Sequence, residues 1–319
     1  MGTQNRTGDS YAVEGSTGKR LTAWFVLDLT ASMTNRAQLD SRTASRPRID
    51  ILNAALKKCL ISIIESPDAN VRACTEIGFT CYTDRVELAS SPFRLDALTR
   101  NKVHSIFKDY TKDKRGIVAE EGVPFNDSKS PQVYFQECYV QRLCKNVLIP
   151  QFQCTLNETY TCMETGILHA YRQVEQRKAD LVSAGISYYP PYVISITDGD
   201  LEQGCDPAQR DSAIAMVHAH CYTHADQIVV PFFLGVGDDI PESGKKILQK
   251  YAEKFTRGYT LINSSHTLEE FEAAFTAIQR SMNKTMDLNR DLTFDAIKED
   301  YEQQITRSQL IAKLRTTGI

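Results

Sequence analysis

Long apolar runs are scarce in this chain of 319 residues. The longest, Ile228 to Val236, is too short to cross a bilayer and is broken by Pro231. The opening MGTQNRTGDSYAVEGSTGKR has no apolar stretch of the kind that drives secretion. No basic block stands out, and a net charge of −3 gives no reason to expect a polyanion, so a nucleic-acid or membrane partner is not indicated. Nine cysteines occur, an odd number, with no C-x-x-C pair. That pattern argues against a disulfide framework and against a cysteine zinc site, and for buried thiols in a reducing, cytoplasmic setting. GSTGK at Gly15 to Lys19 has too short a glycine spacing for a phosphate loop, and no strand precedes it.

What is present is ordinary globular composition, 42% hydrophobic and 24% charged, enough for one large α/β domain with appendages or two small domains. Strand patterns at Leu21–Asp28, Val71–Tyr82, Arg85–Ala89, Tyr192–Thr197, Gln227–Gly235 and Gly258–Ile262 alternate with helical ones. The helices are expected at about Pro47–Ser66, Leu95–Lys112, Thr161–Ser183, Pro207–Ala225, Glu242–Phe255 and Leu268–Met282. Such alternation calls for a doubly wound, mostly parallel central sheet with helices on both faces. Residues 1–20 read as a disordered tail and 21–285 as the domain. Within it, about 111–158 is long, mixed in polarity, proline-bearing and without a deciding period, and reads as an insertion. Residues 286–319 read as a C-terminal helical appendage, because Phe294, Ile297, Tyr301 and Ile305 fall at helical spacing.

The organising stretch is LTAWFVLDLTASM, Leu21 to Met33. An apolar strand stops at Asp28, and Thr30 and Ser32 follow at alternate positions. Just past the carboxyl end of a central strand, those oxygens can converge where α/β sheets collect ligands. An oxygen-only set suits a hard cation rather than zinc. Alone, the same residues read rather as a strand end with turn and capping hydroxyls. Two further loops bear on the choice: the helix start at Thr161 and the strand end Thr197-Asp198-Gly199. His218, His220, Cys221 and His224 share one predicted helix, but without a carboxylate partner they read as a polar face.

The ordered set Asp28-x-Thr30-x-Ser32, Thr161 and Asp198 resembles the metal-ion-dependent adhesion site of von Willebrand factor type A domains, over about Leu21 to Asn283. The resemblance implies the Rossmann-like type A fold, with Asp28, Thr30, Ser32, Thr161 and Asp198 as the metal set. Thr30, Ser32 and Thr161 would then contact Mg²⁺, with Mn²⁺ or Ca²⁺ as alternatives, while Asp28 and Asp198 act largely through water. Thr30 stands where the family has serine, and Thr155, Thr159 and Thr165 are rivals to Thr161. An inner shell of neutral hydroxyls leaves the ion short of anionic ligands, so a partner's Asp or Glu completes it. The implied function is metal-dependent protein–protein interaction, without catalysis. Among intracellular relatives the chain looks most similar to bacterial tellurium-resistance-type proteins, which implies a stress or defence complex with a kinase, phosphatase or AAA-type ATPase. Two alternatives stay open: a metal-dependent phosphohydrolase with a strand-end Asp nucleophile, and a structural type A domain whose metal site is empty.

Overall fold

The computed structural model describes residues 18–35, 47–98, 103–107, 117–118, 130–157, 159–198, 201, 205–222, 228–237, 240–255, 258–262, 267–287 and 303. The predicted N-terminal tail lies outside them up to residue 17, as does almost all of the predicted C-terminal helix.

The first strand, β1 (Leu21–Asp28), is buried along its whole length. Its side chains divide by parity. Leu21, Ala23, Phe25 and Leu27 enter one core cluster, and Trp24 and Val26 the other. That two-sided burial is why the strand reads as a continuous apolar run rather than an alternating one. Parallel to β1 run β2 (Thr75–Tyr82) on one side and β8 (Tyr192–Thr197) on the other. β9 (Val230–Val236) and β10 (Tyr259–Ile262) extend the parallel sheet beyond β8. β3 (Val86–Ala89) and the two-residue β4 (Phe93–Arg94) pair antiparallel with β2. The order is β3-β2-β1-β8-β9-β10, a mostly parallel α/β sheet as expected.

One face of β1 packs against α1 (Arg48–Ile64) and α7 (Thr267–Asp287), through residues such as Leu52, Leu56, Phe271 and Phe275. On the other face α4 (Met163–Ser183) covers β1, and α5 (Pro207–Tyr222) and α6 (Glu242–Tyr251) cover β9, through Ile167, Tyr171, Val217 and Leu248. Trp24 lies across Gly78, its register partner on β2, where an added Cβ would come within 2.2 Å of the indole. The indole N–H donates to Thr80 Oγ1 at 2.8 Å, so the ring's polar edge is satisfied inside the core. Gly185 closes α4 at φ +71°, with Ile186 N–H donating to Leu181 O, as its place after the helical pattern predicts.

Three segments differ from the sequence reading. The strand expected from Val71 begins only at Thr75, because Asp68 caps the short helix α2 (Ala69–Cys74) by accepting from Asn70 N–H at 2.7 Å. The helix expected over Leu95–Lys112 is described only as a 3₁₀ turn, Leu95–Ala97, and α3 (Val103–Ile106). Within the expected insertion, β6 (Gln132–Val140) and β7 (Lys145–Gln153) form an antiparallel hairpin, joined by β5 (Ile117–Val118) in a second sheet. That hairpin is not a detachable excursion. Phe152 packs at 5.0 Å from Phe79 of the main sheet, and Phe135 against Phe107. Asn53 of α1 clasps the backbone of Phe152 with two hydrogen bonds, at 2.8 and 2.9 Å.

Candidate metal centre

The chain leaves β1 toward β2 and β3 on one side, and returns at β8 on the other. The strand order reverses between β1 and β8, and a crevice at the carboxyl ends of such a pair is where ligands bind in this fold class. Leu27 pairs with Ile196, so Asp28 and Thr197 end their strands side by side. Thr197 Oγ1 donates to Asp28 Oδ2 at 2.8 Å.

From Asp28 a run of close oxygen–oxygen contacts leads to Asp198. The backbone N–H of Thr30 donates to Asp28 Oδ1 at 2.9 Å, and its hydroxyl donates to the same oxygen at 2.6 Å. This two-residue side-chain turn is what Asp favours at a strand end. A 3₁₀ turn at Ala31–Thr34 brings Ser32 back, with Ser32 Oγ 2.9 Å from Thr30 Oγ1. Ser32 Oγ donates to Asp198 Oδ1 at 3.0 Å. The other oxygen of Asp198 accepts from Arg48 Nη1 at 2.7 Å, from the first turn of α1. Asp28, Thr30, Arg48 and Asp198 are buried, and Ser32 is the partly exposed member.

Of the five residues expected to hold a metal, Asp28, Thr30, Ser32 and Asp198 are therefore brought together. Thr161 is on the same edge but apart from this run of contacts: Cys162 N–H donates to Thr83 O, at the end of β2. Its rival Thr155 donates its backbone N–H to Leu29 O at 3.1 Å, beside Asp28. The sequence reading missed Arg48. Its signal is an arginine in the first turn of a helix, where the dipole disfavours a cation and a nearby carboxylate must compensate. The histidines do not gather at one point: His218 Nε2 lies 2.8 Å from Lys250 O and His220 Nδ1 2.7 Å from Met216 O, but His220 Nε2, expected to lack a carboxylate partner, lies 3.3 Å from Glu175 Oε1. His224 lies outside the described residues.

Burial raises the carboxyl of Asp28 above its usual range, against hydrogen bonds from Thr30, Thr197 and the Asp198 backbone. Burial and then the charge of Asp28 push Asp198 up to about 7, against the opposing pull of Arg48 and Ser32. Two buried carboxylates thus face one guanidinium, and the deficit of positive charge is what a divalent cation would relieve. The donors are oxygens only, two of them neutral hydroxyls, which fits Mg²⁺ better than a softer ion.

A pH dependence follows. Asp198 changes from an ordinary value of 3.8 to about 7 on folding, so between those values the folded state holds the extra proton. Its contribution to the stability of chelator-treated protein therefore falls as pH rises from about 4 to about 7, with no further loss above. Urea unfolding at pH 5 and pH 8 checks this, and Asp198→Asn should flatten the slope.

No protein-family model and no curated protein matches this chain. Among solved structures, it is similar to the PilB minor pilin from Streptococcus sanguinis, at 13% identity and a TM-score of 0.43, over 86% of this chain and 64% of that one. It is also similar to the vWF domain of the type V pili tip protein Mfa5 from Porphyromonas gingivalis, at 12% identity and a TM-score of 0.34, over 86% and 98%. The chain thus spans less than two thirds of the pilin it matches. Likenesses of this size say nothing of what this chain binds. No helix among the described residues is long and apolar enough to cross a membrane.

Proposed function

We propose that this chain is a protein-interaction module of the von Willebrand factor type A kind, in which Asp28, Thr30, Ser32 and Asp198 hold a Mg²⁺ ion. Thr161 or Thr155 would supply a further hydroxyl from the loop before α4. When bound, the ion supplies an electrophilic site for a carboxylate of a protein partner. The chain's own residues fix the hydroxyls, bury the two carboxylates, and leave Ser32 as the side open to a ligand. The observation that carries this reading is the run of close oxygen–oxygen contacts, 2.6, 2.9 and 3.0 Å, from Asp28 through Thr30 and Ser32 to Asp198 across the sheet's switch point. On the same loop, between the two threonines, Leu156 and Tyr160 are 60% and 56% exposed, and large side chains so placed suit the core of a protein interface. The cytoplasmic setting, and a kinase, phosphatase or AAA-type ATPase partner in a stress or defence complex, belong to this proposal through the tellurium-resistance resemblance.

The test is capture of a partner on immobilised protein in Mg²⁺ and its release by chelator. Ser32→Ala removes one donor from a half-exposed position and should weaken Mg²⁺ at least roughly tenfold, with the melting temperature of the metal-free protein little changed. Wild-type Mg²⁺ affinity in that variant, with partner capture indifferent to chelator, would sink the proposal.

One observation favours a second reading, a structural domain that takes no metal. The Arg48 guanidinium already occupies one face of Asp198, and could serve in place of the ion. The two readings separate on the behaviour of an Arg48 variant.

A further inference from the structure

Beside the oxygen cluster lies a second group of possible ligands, of different chemistry. Cys162 immediately precedes α4, Glu164 is in its first turn, and Cys205 stands ahead of α5. Their ligand atoms all lie within 4.8 Å of one another. The two sulfurs are 2.9 Å apart, and Cys205 Sγ also donates to Thr161 O at 3.2 Å. The sequence spacing hides this pair, since 43 positions separate the two cysteines and neither belongs to a C-x-x-C. Glu164 is 2% exposed, and its Oε1 has no hydrogen-bond partner among the described residues. A buried carboxylate oxygen left in that state costs free energy, which a proton or a cation relieves; burial accordingly raises the Glu164 carboxyl, even with a hydrogen bond from Cys205 to the group.

We infer that Cys162, Glu164 and Cys205 form a binding site for a soft divalent metal of the zinc type, distinct from the Mg²⁺ cluster. Thiolate sulfur and carboxylate oxygen are both zinc donors, and three protein ligands leave a fourth position for water or an incoming group. On one tetrahedral zinc, two thiolates stand about 3.8 Å apart, so the sulfurs open slightly by side-chain rotation as the metal enters. Two thiolates and a carboxylate carry three negative charges. Zn²⁺ offsets two, and Arg210, an electrostatic neighbour of both Cys162 and Glu164, offsets the third. Cys205 is partly exposed, which gives the ion a way in. On binding, each thiol loses its proton to solvent, and the metal ties the start of α4 to the loop after β8. Without metal the Cys205 S–H holds the loop through the Thr161 carbonyl; with metal that proton is gone and the neighbouring Cys162, now a ligand, anchors the loop on which the Mg²⁺ reading draws.

The full chain, stripped of metal and kept in a phosphine reductant, is titrated with Co²⁺ and then with competing Zn²⁺. The expected result is one ion per chain with a thiolate-to-cobalt charge-transfer band that Zn²⁺ removes. Cys162→Ser and Cys205→Ser should each weaken uptake by more than the roughly 10–100-fold that loss of an outer-sphere partner costs. Glu164→Gln should weaken it while keeping the band, and gives the reading if a cysteine variant fails to fold. Cys144→Ser, at an exposed thiol, and Asp28→Asn should keep both band and affinity, so this result does not depend on the Mg²⁺ cluster. Absence of a thiolate band in reduced protein, or a band that survives both cysteine replacements, overturns the inference.

Discussion

Replacing residues 132–153 by a short Gly/Ser linker is expected to abolish cooperative unfolding of the whole protein. The hairpin contributes Val133, Phe135, Val140, Val147, Ile149 and Phe152 to the same buried cluster as β1 and α1, each no more than 2% exposed. Burying each such side chain is worth about 1.5–3 kcal/mol. Together they rival the roughly 5–15 kcal/mol by which a whole domain is stable. Phe152→Ala alone should cost about 3–5 kcal/mol, since its ring fills the space between Phe79 and Phe107. Urea unfolding followed by tryptophan fluorescence checks both, because Trp24 is the only tryptophan and is buried in the opposite core. A linker variant that still unfolds in one sharp transition, with unchanged midpoint, would show the hairpin to be an ornament.

Arg48→Met is expected to cost about 3–5 kcal/mol in chelator at pH 8, because it leaves the carboxylates of Asp28 and Asp198 buried together without an opposite charge. At pH 5.5 the loss should be smaller, since Asp198, pushed up to about 7, takes a proton and the repulsion disappears. Excess Mg²⁺ should restore most of the stability at pH 8, by binding the folded state alone. Recovery on adding metal supports a metal centre in which Arg48 is an auxiliary charge. Failure of any divalent ion to recover the variant supports the domain in which Arg48 stands instead of the ion. Melting curves at the two pH values, with chelator and with Mg²⁺, distinguish them.

The sheet and its switch point were legible because β1, β8 and β9 are buried on both faces, and two-sided burial writes an uninterrupted apolar run. Asp28, Thr30 and Ser32 were legible for a local reason: the side-chain turn that gathers them spans five residues. Asp198 needed only the end of a strand. The hairpin escaped because its cues are displaced. Its turn, Gln141 to Cys144, has no glycine, and Cys144 itself takes the positive φ of 48°. Gln136 and Glu137, adjacent and both exposed, break the alternation, and Pro150 sits within β7 opposite Phe135. The Arg48–Asp198 pair and the Cys162–Cys205 approach join residues 150 and 43 positions apart. Neither has a local pattern, and both depend on which strand ends the sheet sets side by side.

The most direct measurement is a calorimetric Mg²⁺ titration of the full chain, stripped of metal, beside Asp28→Asn. Asn keeps the size of the side chain but withdraws a carboxylate that accepts hydrogen bonds from Thr30, Thr197 and the Asp198 backbone at the heart of the cluster. The account predicts saturable binding of one Mg²⁺ by the wild type and none by the variant, with both folded. Wild-type protein that takes up no Mg²⁺, or a variant that binds it equally well, contradicts the account.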